Sequence, residues 1–139
     1  QNRVSIEPLS TDVVNFIYDN IVSVEQLEIL LLLHGQSDKE WTADEVSDQI
    51  RTSLASVRSR MAFFSNLRIF SSRTAANVTF RYAPSTTALA STIDAVSHAY
   101  KERRVSVIAL IYSERQKSIR AFSDAFRLNQ EKSDEENSR

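Results

Sequence analysis

The chain has 139 residues, a net charge of -1, no cysteine, one glycine and two prolines. That length suits one domain with a helical extension. The composition excludes disulfides, zinc-thiolate sites, a thiol nucleophile and a glycine-rich phosphate loop, and so few turn-forming residues favour helices over many strands.

The charge is segregated along the chain. Residues 1–50 hold ten acids against Arg3 and Lys39, whereas residues 51–93 hold six arginines (Arg51, Arg58, Arg60, Arg68, Arg73, Arg81) and neither acid nor lysine. A basic block inside a neutral chain points to an anionic partner. The longest apolar run, Ile29–Leu33, falls far short of the roughly 20 residues a bilayer requires. The N-terminus shows no basic-then-apolar signal pattern, so the expectation is a soluble cytoplasmic protein with no membrane partner.

Taken in chain order, residues 1–8 read as an extended arm ending at Pro8. A first helix follows, capped by Ser10 or Thr11, with Val13, Val14, Phe16 and Ile17 on its apolar face. Ser23 and Gln26 are spaced as a capping box for a second helix, and Gly35 is placed to end it. Leu27, Ile29, Leu30 and Leu31 make that helix apolar nearly all round, which assigns it to the centre of the core. Thr42 and Glu45 cap a short third helix facing inward through Val46 and Ile50, and Trp41 is placed to staple it on Val46.

A fourth helix starts at Thr52 or Ser53, with Leu54, Val57, Met61 and Phe64 on one continuous face. Two alternating runs, one from Ile69 and one over Val78–Tyr82, predict a hairpin closed by Asn77 and ended by Pro84. A long helix is predicted next. Its narrow seam of Leu89, Ile93, Val96, Tyr100, Val107 and Ile111 suits a partner helix better than one small core. A last helix spans 116–129, and the charged end reads as disordered.

Residues 42–82 of this mainly α chain with a small β-hairpin resemble the winged helix-turn-helix of bacterial transcription regulators. Val46 and Ile50 fill the inward positions of the motif's first helix, Arg51–Ser53 its turn, and Val57, Met61 and Phe64 the inward positions of its recognition helix over 53–66. The chain departs from the pattern at Arg68, where a glycine is usual before the wing, here 69–82. With a helix before the motif and a long one after it, the chain is similar to MarR-like and PadR-like regulators, whose terminal helices form the dimer. The resemblance implies four parts: the arm at 1–8, a DNA-binding domain over 9–84, a dimerisation region over 85–130 and a tail at 131–139.

In such a motif the second helix enters the major groove, and phosphate contacts supply much of the affinity. The candidate contacts to double-stranded DNA are Arg51 at the turn, Ser53, Ser56, Arg58, Ser59 and Arg60 on the helix, and Arg73 on the wing. The outward face of Ala55, Ser59 and Ala62 makes no bidentate base contact, so backbone grip with modest sequence selectivity is expected. The seam residues are the candidate homodimer contacts.

No catalytic constellation, metal-ligand spacing or cofactor motif stands out. His34 and His98 lie 64 positions apart, and His34 suits the C-terminal end of a helix dipole. The alternative reading is a winged helix that binds protein within a regulatory complex, favoured by an outward Phe63 and the acidic first half. A small-molecule effector would need a pocket between core and terminal helices, for which Tyr18, Trp41 and Tyr100 are candidate linings.

Overall fold

The computed structural model describes residues 9–113, 125 and 127. The order is α1 (Thr11–Asn20), α2 (Val24–Gly35), α3 (Ala43–Ile50), α4 (Leu54–Asn66), β1 (Phe70–Thr74), β2 (Val78–Tyr82) and α5 (Thr87–Glu102), followed by a further helical stretch over 104–113. The arm, the charged tail and nearly all of the last expected helix lie outside the described residues.

Each of α1 to α5 starts where a short hydroxyl side chain takes up a free amide. Ser10 caps α1, Ser23 caps α2, Thr42 caps α3, Ser53 caps α4 and Thr86 caps α5. At Thr42 the box is complete, and the N–H it donates to Glu45 at 2.9 Å holds that carboxyl below its ordinary range. Gln26 departs from the simple box. Its Oε1 accepts from the Val22 N–H and its Nε2 donates to the Asn20 carbonyl, both at 2.8 Å. A buried amide thus satisfies the backbone at the α1–α2 corner.

α2 runs through the middle of the core, with Leu27, Ile29, Leu30 and Leu33 without exposed surface. Around it pack Val13, Phe16 and Ile17 of α1, Val46 of α3, and Val57, Met61 and Phe64 of α4. β1 and β2 pair antiparallel from Phe70↔Tyr82 to Thr74↔Val78. Strand β1 begins at Phe70, one residue after the expected start, while Ile69 is buried beneath it.

Trp41 does more than staple α3. It forms an antiparallel bridge with Phe80, its N–H donating to the Phe80 carbonyl at 2.7 Å and the Phe80 N–H donating back at 2.8 Å. The hairpin therefore gains a one-residue third strand from the segment before α3.

The long helix expected after the hairpin is interrupted. α5 ends at Glu102, and Arg103 leaves the helical region (φ -138°, ψ 49°) before helix resumes at 104. The change of direction turns Val107 and Ile111 back into the chain's own core, where Ile93 and Val96 also lie. Four of the six seam residues are thus used up inside one chain, and Leu89 and Tyr100 pack half-buried against the same core. The apolar spacing is real, but it reports intramolecular packing by two helical segments. Among the described residues no helix is long and apolar enough to cross a membrane.

Candidate nucleic-acid interface

The turn between α3 and α4 is built on a left-handed residue. Arg51 has φ 63° and ψ 52°, its N–H donates to the Ser47 carbonyl at 2.8 Å, and the Ser47 hydroxyl donates to the Thr52 carbonyl at 2.6 Å. This closes the turn tightly and leaves the Arg51 side chain exposed. Ser53 then caps α4 by accepting from the Ser56 N–H at 3.2 Å. With Val57, Met61 and Phe64 fully buried, Ala55, Arg58, Ser59 and Ala62 face out.

The other end of α4 explains how the chain manages without the usual glycine. Arg68 takes φ 60°. The Ile69 N–H donates to the Phe64 carbonyl and the Arg68 N–H to the Ser65 carbonyl, both at 3.0 Å. This pair of bonds is a Schellman ending, which places its left-handed residue where glycine is favoured. Ile69 and Phe64, both buried, complete its apolar clasp. Arg68 thus adopts the glycine-like conformation, and the hairpin starts at Phe70, two residues on.

A cleft of about 520 Å³ lies between the hairpin and the start of α3, lined by Thr42, Ala43, Asp44, Arg58, Asn77, Val78 and Phe80. Arg58 therefore stands where α4 and the hairpin converge. Arg73 on β1 is largely exposed, its Nε 3.8 Å from Glu40 Oε1.

Arg51, Ser53, Arg58, Ser59 and Arg73 thus share an exposed character on the turn, α4 and the hairpin. Ser56 and Arg60 depart from expectation. They belong to the side of α4 that meets α2, where Glu25 receives them. Its carboxylate accepts from the hydroxyls of Thr52 and Ser56, and the Arg60 Nε lies 3.7 Å from Glu25 Oε1. Burial alone would raise the Glu25 carboxyl. The hydrogen bonds from Ser56 and Thr52 and the charge of Arg60 together outweigh it, holding the group below its ordinary range.

The role of Glu25 and the bridge from Trp41 to Phe80 are not read from the sequence. Glu25 appears there as an acid in the first turn of a helix, with no sign of its partners about 30 positions on. A one-residue bridge such as that of Trp41 has no alternation to detect.

Helices α2, α3 and α4, the left-handed turn and the clasped hairpin define a winged helix-turn-helix. Neither a family model nor a curated protein matches the chain, but solved structures do. Staphylococcus aureus MepR, a transcription regulator of the multidrug efflux pump MepA, superposes with a TM-score of 0.52 at 11% identity, over 85% of this chain and 87% of that chain. A point mutant of MepR gives a TM-score of 0.51 at 11% identity over the same shares. A second mutant, from a multidrug-resistant clinical isolate, gives 0.50 at 10% identity over 86% of this chain and 87% of that one. The likeness extends past the motif to the flanking helices, so the fold expected from the sequence is the fold found.

Proposed function

We propose that the protein is a DNA-binding transcriptional regulator that grips the duplex with α4 and the hairpin and acts as a homodimer. One observation carries the reading. Arg51, Arg58 and Arg73 are exposed on the turn, the helix and the wing, within a stretch of 43 residues (51–93) that contains no acid. Arginine donates bidentately to phosphate, and a helix presented this way enters a major groove. The outward Ala55, Ser59 and Ala62 allow close approach and thymine-methyl contact but little base discrimination. MepR, which shares the fold, is described as a transcription regulator.

Fluorescence anisotropy with a labelled mixed-sequence duplex, titrated with salt, tests this reading. Binding that weakens log-linearly with salt is expected. Arg58→Ala and Arg73→Ala should each flatten the slope by about 0.9 unit. No binding to any duplex at low salt would remove the proposal.

The homodimer rests on a different surface from the interrupted seam. In the 104–113 stretch Val105 is 82% exposed and Tyr112 55% exposed, with the half-buried Ile108 between them at helical spacing. This exposed apolar face is the surface assigned to a second copy. The site assigned to a small-molecule effector is the cleft of about 320 Å³ between α1 and α5, lined by the apolar Leu9, Val13, Ala95 and Ala99 and the polar Ser10, His98, Glu102 and Arg103. Tyr18, Trp41 and Tyr100 do not line it.

A specific observation favours the protein-binding alternative as the second reading. Phe63 near the end of α4 and Leu67 at its C-cap are 36% and 37% exposed. Capture of a protein partner that survives high salt would support it, since a phosphate grip fades there.

A further inference from the structure

The Glu25 cluster has the chemistry of a phosphate site with its anion already in place. Two hydroxyls and one guanidinium converge on a single anionic group, and these are the donors that proteins use on a DNA backbone. Thr52 lies in the helix-turn-helix turn, and Ser56 and Arg60 lie on successive turns of α4. Glu25 reaches them from the first turn of α2. The site is open to solvent at one side, with Glu25 and Arg60 each 29% exposed in their side chains.

Its cation is also only loosely held. The Arg60 Nε is buried with no hydrogen-bond partner, and at 3.7 Å from Glu25 it is paired by charge without a formed bond. Such a guanidinium gives up little when it exchanges one anion for another. The other arginines on the exposed turn, helix and hairpin are not tied in this way, apart from the exposed Arg73–Glu40 pair.

We propose that Glu25 is an internal stand-in for a DNA phosphate, withholding Thr52, Ser56 and Arg60 from the backbone and so limiting the affinity of the α4 interface. This rests on the DNA-binding reading above. Glu25 acts through the donors it occupies and does not itself meet DNA, which makes it a positioning residue. Removing its charge while keeping its shape should release one cationic contact.

The test compares the full-length protein with Glu25→Gln, Arg60→Gln and the double variant, using one mixed-sequence duplex over a range of salt. Glu25→Gln should bind roughly tenfold tighter at low salt and steepen the salt slope by about 0.9 unit. Arg60→Gln alone should leave the slope unchanged, and the double variant should return to the parent slope. A merely structural role for Glu25 would alter stability but leave the slope alone. If Arg60→Gln alone flattens the slope as Arg58→Ala does, Arg60 already meets a phosphate and the inference is overturned while the DNA-binding reading stands. An unchanged slope in a folded Glu25→Gln protein overturns it as well. If Glu25→Gln does not fold, Glu25→Ala takes its place, with the same steepening expected and an unchanged slope again overturning the inference. If neither the parent nor any variant binds DNA, both the inference and the reading fall.

Discussion

The His34 ring meets the Tyr82 ring edge-on, with centroids 5.1 Å apart and planes at 83°, and its Nε2 lies 2.8 Å from Asp94 Oδ1. One side chain at the end of α2 thus ties the base of the wing to α5. The sequence suggests only a helix-dipole role for His34, and the structure gives it two partners from distant segments. A second tie lies further along α5, where the Tyr100 hydroxyl donates to Glu28 at 3.1 Å and Arg104 stands 3.6 Å from the same carboxylate oxygen. The wing and the C-terminal helices are therefore both fastened to α2.

The Tyr82 phenol is predicted to resist ionisation. Burial, and then the negative charge of Asp94, push it up to about 12, and its hydroxyl is buried without a hydrogen-bond partner. A phenol raised above its unfolded value of about 10 stabilises the fold fully below pH 10, and this contribution is lost as pH rises toward 12. Burial and Glu28 also raise the Tyr100 phenol, so the difference between absorbance titrations of the parent and Tyr82→Phe should isolate one late-ionising tyrosine, and Asp94→Asn should bring its midpoint down. A Tyr82 that ionises near pH 10 would contradict the buried placement.

Arg68 sits in a conformation that costs a non-glycine residue on the order of 1–2 kcal/mol. Glycine removes that strain but loses more backbone entropy on folding. Arg68→Gly is therefore expected to stabilise the protein by about 0.5–1 kcal/mol, and Arg68→Val to destabilise it by about 1 kcal/mol or more. Urea unfolding midpoints measure both. A large loss on Arg68→Gly would mean that the side chain holds the wing in some other way.

The way these elements form explains which of them are legible in the sequence. The caps at Ser23, Thr42 and Ser53 and the buried face of Val57, Met61 and Phe64 follow from short-range spacing, and the structure reproduces them. The seam shows where spacing alone fails. Ile93, Val96, Val107 and Ile111 keep a helical apolar rhythm, but periodicity does not say whether the covering surface belongs to the same chain. The outward set of α4 has the same difficulty. Arg58 and Arg60 read alike as basic residues beside the core face, and the difference between them is made by Glu25, more than 30 positions earlier in the sequence.

Trp41 is expected to hold the wing in place. Its side chain is 3% exposed, Lys39 Nζ lies 3.8 Å from the centre of its ring, and its backbone bridges Phe80. Trp41→Ala should cost about 3–5 kcal/mol, as for other buried aromatic truncations. Trp41→Phe should cost less than about 1.5 kcal/mol, because it keeps much of the packing and removes an indole N–H that is buried without a partner. Hydrogen exchange at the Phe80 amide should quicken strongly in the alanine variant and little in the phenylalanine one. Equal protection in both would show that the bridge does not depend on the ring.

Beyond the interruption at Arg103, Val107 and Ile111 join Ile93 and Val96 in the core, whereas Val105 and Tyr112 stay exposed on the proposed dimer face. Ile93 and Val107 have no exposed surface, so Ile93→Ala and Val107→Ala should cost about 2–5 and 1–3 kcal/mol respectively through lost burial and a cavity. Neither should alter the mass of the protein while it remains folded. Val105 and Tyr112 are exposed, so Val105→Glu and Tyr112→Glu should change monomer stability by less than about 0.5 kcal/mol. On the proposed dimer face, each would place a charge in an apolar contact and leave it unpaired. Light scattering at micromolar concentration should then show the parent at twice the chain mass and both glutamate variants at one chain mass. A parent at one chain mass, or glutamate variants that stay dimeric, would move the interface elsewhere or remove it.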